Sequence, residues 1–202
     1  MTKTVLKRSE ALLDIGKSGR WKGANFNHII DESFGNTLVT LLKEHNISSI
    51  TDLGCGTGGY INMITDAGID AHGFDGNPNT EELDVSGGLC VGPVDLTKKR
   101  AWNMTDAAMS IEVAEHIPAQ FEDKFVKNLV GSARDLVILS WAVPGQVGEG
   151  HVNGKTGEAV RGVMKKHGWE KNEAFTHRLQ IGSTLPWLKA NVQVFRKTVP
   201  RR

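Results

Sequence analysis

The chain of 202 residues has only two cysteines, Cys55 and Cys90, so its sequence offers no disulfide framework. It also lacks any apolar run near the roughly 20 residues that span a bilayer. Its first residues lack the apolar core of a secretory signal. We therefore expect a cytoplasmic protein without a membrane span. Hydrophobic residues make up 39% and charged residues 23%, as in a globular protein, and the length predicts one domain over residues 1–202.

A surplus of positive charge is absent as well. Lysine and arginine number 24 against 23 aspartates and glutamates, which leaves a formal net charge of +1. Enzymes that act on nucleic acids usually carry a basic stripe along one face. The basic clusters of this chain are short and are typical of solvated helix ends or termini, so the composition disfavours a nucleic-acid partner.

The most informative feature that is present is an apolar stretch leading into a glycine-rich turn. The segment that begins at Ile50 reads ITDLGCGTGGY, with an acid at Asp52 and glycines at Gly54, Gly56 and Gly58. Glycine adopts backbone angles that other residues avoid, and it lets a ligand approach the main chain closely. The motif predicts a nucleotide-like ligand at the carboxyl end of a parallel strand.

The spacing within this motif narrows the choice of ligand. A dinucleotide fingerprint has the form GxGxxG and delivers a pyrophosphate to a helix start. Here Asp52 precedes Gly54 by two residues; a carboxylate in this place would repel a pyrophosphate but would suit an ammonium group. The arrangement resembles motif I of the class I S-adenosylmethionine (SAM) methyltransferases. In that family the loop wraps the methionine part of the cofactor.

Further acids follow at the ends of the next predicted strands. Asp75 lies about 20 residues after the loop, the spacing at which a carboxylate meets ribose hydroxyls. Asp95 follows the third predicted strand, where the resemblance implies a hydrogen bond from the adenine amino group. The fourth predicted strand leads to Glu112. The predicted cofactor-binding residues are Asp52, Gly54, Cys55, Gly56, Gly58, Asp75, Gly76, Asp95, Leu96, Ile111 and Glu112.

Strands and helices alternate along the chain, which predicts parallel βαβ units. Helices are predicted over residues 9–15, 33–45, 60–67, 119–133 and 156–167. Strands are predicted before the glycine loop and over 71–75, 91–96, 106–113 and 135–141. Two antiparallel strands should follow, one between 179 and 190 and one over 191–197. We therefore expect a doubly wound α/β fold with a mostly parallel seven-stranded sheet, a C-terminal antiparallel strand and helices on both faces. This resembles the seven-stranded methyltransferase fold, with residues 1–30 capping the cleft for cofactor and substrate.

A second cluster of chemically active side chains follows the fourth predicted strand. Glu112, Glu115 and His116 are spaced i, i+3 and i+4, so one helical turn would place them on a common face. Two carboxylates and an imidazole can bind a divalent cation, and His151 from the next loop would complete the set. The pattern ExxEH resembles two metal-assisted O-methyltransferase groups: enzymes of the ubiquinone pathway and enzymes that methylate the 3′-terminal ribose of small RNAs. The resemblance implies Mg²⁺ or Mn²⁺ held by Glu112, Glu115, His116 and His151.

Two other interpretations of this cluster stay open. Family members without a metal carry similar segments, and there His116 or His151 would act as a general base in catalysis. The segment could also serve only to shape the cofactor pocket.

Several missing motifs bear on the atom that is methylated. The chain has no NPPY-like tetrapeptide after the fourth strand, no Pro-Cys pair and no paired-glutamate loop of the arginine methyltransferase kind, so an oxygen nucleophile is favoured. Trp21 and Trp141 are expected near the pocket mouth, where an indole face can stack on a sugar ring. We predict O-methylation of a sugar or glycan hydroxyl, with a rhamnose-like deoxyhexose favoured. The alternatives are a catechol-like small molecule, RNA 2′-O-methylation, and a non-catalytic SAM-binding module.

The compact chain also resembles viral and bacterial domains that decorate glycans, including a module of a chlorovirus glycan-building protein. That resemblance implies a viral protein that acts in the host cytoplasm as part of a larger glycan-synthesis protein.

Overall fold

The computed structural model describes residues 15–21 and 28–198 of the chain. Strands among these residues are β1 (Ser49–Leu53), β2 (Asp70–Phe74), β3 (Cys90–Val91), β4 (Thr105–Ser110), β5 (Ala133–Leu139), β6 (Trp169–Lys171) and β7 (Gln193–Lys197). The α-helices are α1 (Glu32–Glu44), α2 (Gly59–Asp66), α3 (Thr80–Leu83), α4 (Glu122–Ser132), α5 (Gly157–Lys166), α6 (Glu173–Gly182) and α7 (Pro186–Asn191). Short 3₁₀ turns cover Ala114–His116 and Ala119–Phe121.

The strands form one sheet in the order β3-β2-β1-β4-β5-β7-β6. The pairs among β1 to β5 are parallel, and β7 runs antiparallel to both of its neighbours. The predicted fold class, a mostly parallel seven-stranded sheet with an antiparallel C-terminal strand, is confirmed. Because the parallel strands end at one edge, residues that follow β1, β2 and β4 come together there.

Two hydrophobic cores, one on each face, enclose the sheet. Leu136 and Ile138 of β5 pack in the core that includes residues of α1, α2, α6 and α7. Val137 and Leu139 pack in the other core, with residues of α4 and α5. Alternate residues of a strand point to opposite faces, so a strand covered on both sides is apolar throughout. This explains the unbroken apolar run that identified β5 in the sequence. No helix of the described residues is both long and apolar enough to cross a membrane.

The helices predicted over 33–45, 60–67 and 156–167 are confirmed within a residue or so at each end. The helix predicted over 119–133 begins instead with a 3₁₀ turn and becomes α-helical at Glu122. The helix predicted over 9–15 falls outside the described residues except for Ile15, which pairs with Trp21 in an isolated bridge.

Three strand predictions need correction. The third strand ends at Val91 rather than at 96, because Pro93 lacks the N–H that a ladder requires. The fourth ends at Ser110 rather than at 113, since Glu112 takes a left-handed backbone conformation with φ of +55°. The strand predicted between 179 and 190 is wrong: this region is helical, and the partner of β7 is Trp169–Lys171. Asn172 starts the helix there, as its side chain accepts a hydrogen bond from the Phe175 N–H.

A buried carboxylate connects the first helix to the loop before the last one. One oxygen of Asp31 accepts a hydrogen bond from the Phe34 N–H and so caps α1. The other oxygen accepts from the Thr184 and Leu185 N–H groups. Burial alone would raise the pKa of Asp31, but the hydrogen bonds from Leu185, Phe34 and Thr184 outweigh it and lower the pKa. The ionised form of Asp31 therefore stabilises the folded state.

We predict that Asp31→Asn lowers the free energy of unfolding at pH 7 by about 2 kcal/mol, because an amide cannot accept hydrogen bonds on both sides. The unfolded carboxyl titrates near pH 3.9, and the folded one titrates lower. The stabilisation is therefore fully present above about pH 4 and is lost as the pH falls through the folded-state pKa. Urea denaturation at pH 7 and pH 3 measures this, with the exposed Glu32→Gln as control. A stability gap that stays constant between the two pH values would contradict the prediction.

Candidate active site

A cavity of about 490 Å³ opens at the carboxyl edge of the sheet. Its wall is formed by the glycine loop, by the segments that follow β2 and β4, and by parts of the N-terminal region at 18–21 and 28–30. The predicted cofactor residues that line it are Asp52, Gly54, Cys55, Gly56, Asp75, Gly76, Leu96, Ile111 and Glu112. Gly58 and Asp95 lie beside the cavity and do not line it. The described parts of the predicted cap at 1–30 thus form one side of this cavity.

Two positions of the glycine loop that line the cavity require glycine, both for their backbone angles and for the space around them. Gly54 and Gly56 both have positive φ, +96° and +56°. A Cβ atom at Gly54 would come within 2.3 Å of Val113, and one at Gly56 would come within 2.7 Å of the His28 ring. A side chain at either position would therefore strain the backbone and push the opposite wall of the cavity outward.

Asp52 at the end of β1 is a buried acid beside this loop. It is only 3% exposed, and its Oδ1 atom has no hydrogen-bond partner among the described residues. Burial raises the pKa of Asp52 well above its usual value, and the nearby Asp75 carboxylate adds to the rise. A bare buried carboxylate destabilises a protein. A cationic group bound in the cavity would remove that cost.

Asp75 joins the glycine loop to the segment after β2. One of its oxygens accepts a hydrogen bond from the Gly56 N–H at 2.9 Å and the other from the Asn77 N–H at 2.8 Å. Next to it, a Cβ atom on Gly76 would lie 2.8 Å from the side chain of Arg20. Arg20 therefore covers this part of the cavity, in a position that the sequence did not suggest.

Asp95 lies in a turn next to the cavity rather than at the end of a strand. Its Oδ1 accepts hydrogen bonds from the N–H and the hydroxyl of Thr97. Burial opposes ionisation, but these bonds and the nearby Arg20 lower the pKa of Asp95. The turn presents Leu96 and Thr97 to the cavity. The role of Asp95 at an adenine amino group stays a prediction.

Three of the four predicted metal ligands come together, and two of them, His116 and His151, line the cavity. Glu115, His116 and His151 each offer a ligand atom, and these atoms lie within 4.8 Å of one another. His151 Nε2 is 3.9 Å from Glu115 Oε1. Both carboxylate oxygens of Glu115 and the Nδ1 atom of His116 are buried, and none of them has a hydrogen-bond partner in the described part of the chain.

Glu112 stays outside this group of three. The predicted helical turn is a 3₁₀ turn over Ala114–His116, and Glu112 lies before this turn with a left-handed backbone, so it is not one of the three grouped ligand residues. The Glu112 N–H donates to the Ser140 hydroxyl at 2.7 Å, which holds this conformation in place. The ligand role of Glu112 stays a prediction.

Burial governs the charges of the group. Burial, together with the nearby Glu112 carboxylate, raises the pKa of Glu115 to about 8. Burial, together with the nearby His151, lowers the pKa of His116 to about 4. At neutral pH the protein alone therefore keeps both Glu115 and His116 uncharged. A bound divalent cation would stabilise the ionised Glu115, so these three residues fit such a cation.

His151 is held in a defined orientation by the loop that carries it. Its Nδ1 atom is 3.1 Å from the main-chain carbonyl oxygen of Gln146. A ring N–H that donates to this carbonyl leaves Nε2, on the side of Glu115, with a free lone pair. The same tautomer suits a metal ligand and a general base.

One of the two tryptophans expected at the mouth lies there. Trp21 lines the cavity, with its ring 5.5 Å from that of His116. Trp141 was placed wrongly: it is only 2% exposed, and its indole N–H donates to the Asn153 carbonyl oxygen. Trp187 of α7 lines the cavity in its place. Further lining residues that the sequence did not suggest are Arg20, His28, Tyr60, Asn77 and Thr97.

No family model matches the chain, and no curated protein matches it either. Solved structures match it over most of its length. The sugar N-methyltransferase KedS8 from Streptoalloteichus superposes with a TM-score of 0.65 at 11% identity, over 88% of this chain and 98% of that one. The methyltransferase domain of the bacterial protein CtHen1-C superposes with a TM-score of 0.62 at 21% identity, over 83% and 98%.

The chain has the fold of the class I SAM-dependent methyltransferases. Magnesium protoporphyrin IX methyltransferase from Synechocystis, solved with SAM bound, superposes with a TM-score of 0.58 at 15% identity, over 80% of this chain and 76% of that one. These neighbours are methyltransferases, and the two whose acceptors are named, a sugar and magnesium protoporphyrin IX, act on unlike compounds. The shared fold therefore fixes the architecture and leaves the acceptor to be argued from the site.

We predict that Asp52→Asn weakens SAM binding about 10- to 100-fold, because an amide cannot pair with the cofactor's ammonium group. The same change should leave the stability of the free protein at pH 7 unchanged or raise it. The unfolded carboxyl ionises near pH 3.9 and the folded one only at higher pH, so stability falls as the pH rises between the two values. The amide removes that loss.

Calorimetric titration with SAM and thermal unfolding without it measure the two effects. Asp66→Asn, at an exposed position of α2, is the matched control. Unchanged SAM affinity in Asp52→Asn would contradict the placement of the ammonium group beside Asp52.

Proposed function

We propose that this chain is a SAM-dependent O-methyltransferase that methylates a hydroxyl of a sugar or glycan, with a rhamnose-like deoxyhexose as the favoured acceptor. One observation carries the proposal. A single cavity is lined by Asp52, whose buried Oδ1 lacks a hydrogen-bond partner among the described residues, and by the imidazoles of His116 and His151. The first suits a cationic cofactor, and the second suits the activation of a hydroxyl.

The residues at the cofactor end bind and orient. SAM supplies a methyl group already activated by its sulfonium centre. The Gly54 and Gly56 backbone lets the ligand lie against the main chain, and Asp52 receives its ammonium group. Asp75, held by two N–H groups, offers its remaining lone pairs to ribose hydroxyls. These contacts direct the methyl group toward the segment that includes Ile111 and Glu112.

The residues at the other end would prepare the acceptor. Glu115, His116 and His151 would hold Mg²⁺ or Mn²⁺, which lowers the pKa of a coordinated hydroxyl. Glu115 supplies the anionic ligand, and its burial excludes competing water. A hydroxyl with a neighbouring oxygen would be held in one direction, as in-line transfer at roughly 3 Å requires. The O–CH₃ bond would form as the sulfur–carbon bond breaks, with the hydroxyl proton released to solvent and the cofactor leaving as S-adenosylhomocysteine.

A metal-free mechanism uses the same side chains differently. With Nδ1 bonded to the Gln146 carbonyl oxygen, Nε2 of His151 would accept the hydroxyl proton directly. His116 is the other candidate base. Origin from a virus and membership of a larger glycan-synthesis protein stay predictions.

We predict methyl transfer from isotopically labelled SAM to a methyl glycoside within a panel of glycosides, catechols and RNA 3′ ends. Mass spectrometry of the products identifies the acceptor. Transfer only to an RNA end, with a steep dependence on salt, would instead support a nucleic-acid enzyme. SAM binding without transfer to any acceptor would support a non-catalytic SAM-binding module.

We also predict that Mn²⁺ binds to the protein. Glu115→Gln and His151→Ala should each weaken the affinity for Mn²⁺ at least about tenfold. Electron paramagnetic resonance of free Mn²⁺ measures the affinity independently of activity. His72→Ala, at an exposed position outside the group, is the control. The affinity for Mn²⁺ should be higher at pH 8 than at pH 6, because Glu115 must lose its proton before it can bind the cation. Full methyl transfer in the presence of a chelator would remove all three residues from a ligand role.

A further inference from the structure

A second, smaller cavity adjoins the first at its metal-ligand end. It has a volume of about 210 Å³ and is lined by Glu112, Gln146, Val147, His151 and Trp187. Three of these residues, Glu112, His151 and Trp187, also line the first cavity. A group in the second cavity would therefore lie next to the imidazole of His151 and next to the place where the methyl group arrives.

A chain of amides fixes the carboxylate that separates the two cavities. The Asn191 side-chain amide donates to Gln146 Oε1 at 2.8 Å, and Gln146 Nε2 donates to Glu112 Oε2 at 3.4 Å. The other oxygen, Glu112 Oε1, is buried and has no hydrogen-bond partner among residues 15–21 and 28–198. A bare carboxylate oxygen needs a donor. Hydroxyl groups supply one without adding charge.

The remaining walls suit a ring with one apolar face. Trp187 is half-buried and contributes its indole to both cavities. An indole face packs well against the C–H side of a saturated ring. Val147, at 99% exposure, stands at the rim. The second cavity is smaller than the roughly 300–1,000 Å³ of pockets that bind drug-sized ligands. Its size therefore suits a single ring.

The charges around this space disfavour an anionic acceptor. Among the described residues that line the second cavity, none is a lysine or an arginine, while Glu112 is an acid. In the first cavity, Arg20 is the only described lysine or arginine, and it lies against Gly76, on the side of Asp75. A phosphate near Glu112 and Glu149 would meet like charge without compensation.

We propose that the second cavity seats one uncharged ring with neighbouring hydroxyls, so that the acceptor is a free glycoside rather than a sugar phosphate or a nucleotide-linked sugar. The Glu112 carboxylate accepts a hydrogen bond from a hydroxyl next to the one that is methylated. Trp187 covers the C–H face of the ring. This inference rests on the proposed function and specifies the chemical class of its acceptor.

Calorimetry with the full chain saturated with S-adenosylhomocysteine tests it without turnover. The probes are the methyl glycosides of L-rhamnose, L-fucose and D-glucose, each paired with its sugar 1-phosphate. We expect at least one methyl glycoside to bind and its 1-phosphate to bind at least tenfold more weakly. Equal or tighter binding of the phosphate would overturn the proposal, and so would a failure of all three glycosides to bind. If S-adenosylhomocysteine itself does not bind, the proposed function fails.

Variants of residues that line the second cavity test whether the glycoside binds there. Trp187→Ala should weaken glycoside binding at least tenfold, while Trp187→Phe, which retains an aromatic face, should stay within about threefold of the parent. Glu112→Gln should weaken it about tenfold. Ile181→Ala and Glu170→Gln, both exposed and outside the two cavities, are the matched controls. The affinity for S-adenosylhomocysteine is measured for every variant. Glycoside binding that survives both Trp187→Ala and Glu112→Gln would place the acceptor elsewhere and overturn the assignment.

Discussion

The parallel pairing of β1 with β2 on one side and β4 on the other is the constraint on which the site depends. Its register sets Asp52 opposite Gly73 and opposite Met109, so residues far apart in the chain reach the same edge. The pairing also requires a small residue in β2, because a Cβ atom on Gly73 would lie 2.6 Å from the Cys55 side chain. With glycine there, the loop after β1 folds back against β2, and the Gly56 N–H donates to the Asp75 carboxylate.

The cost of the site is concentrated in a few buried atoms. Oxygens of Asp52, Glu112 and Glu115 are buried and lack hydrogen-bond partners within the described part of the chain, and burial raises the pKa of Asp52 and Glu115. A buried polar group without a hydrogen-bond partner lowers the free energy of unfolding. A sheet enclosed by hydrophobic cores on both faces can tolerate this cost. Asp52 and Glu112 line one cavity, and Glu115 lies beside its His151, which is the pattern expected of groups kept for ligands.

Sequence reasoning succeeded where one local pattern determined the outcome, as for the glycine loop and the apolar strand β5. It failed where tertiary contacts decided. An antiparallel partner for the last strand was expected between 179 and 190, yet the cap at Asn172 starts a helix whose face packs into the core. Trp141 was expected at the pocket mouth but is buried. Its indole N–H donates to the Asn153 carbonyl oxygen, a tertiary contact that the sequence does not show. Arg20 could not be placed, since no local pattern links it to Gly76.

The loop over residues 143–155 joins the two halves of the proposed chemistry. Near its end, the Asn153 N–H donates to the main-chain carbonyl oxygen of Glu115, which positions the loop against the ligand group. Near its start, the Gln146 carbonyl oxygen orients His151, and the Gln146 side chain donates to Glu112. Movement of Gln146 would therefore displace both the imidazole that serves the hydroxyl and the carboxylate that would hold the ring. A substitution of the Gln146 side chain would perturb Glu112 directly and His151 through the shared loop.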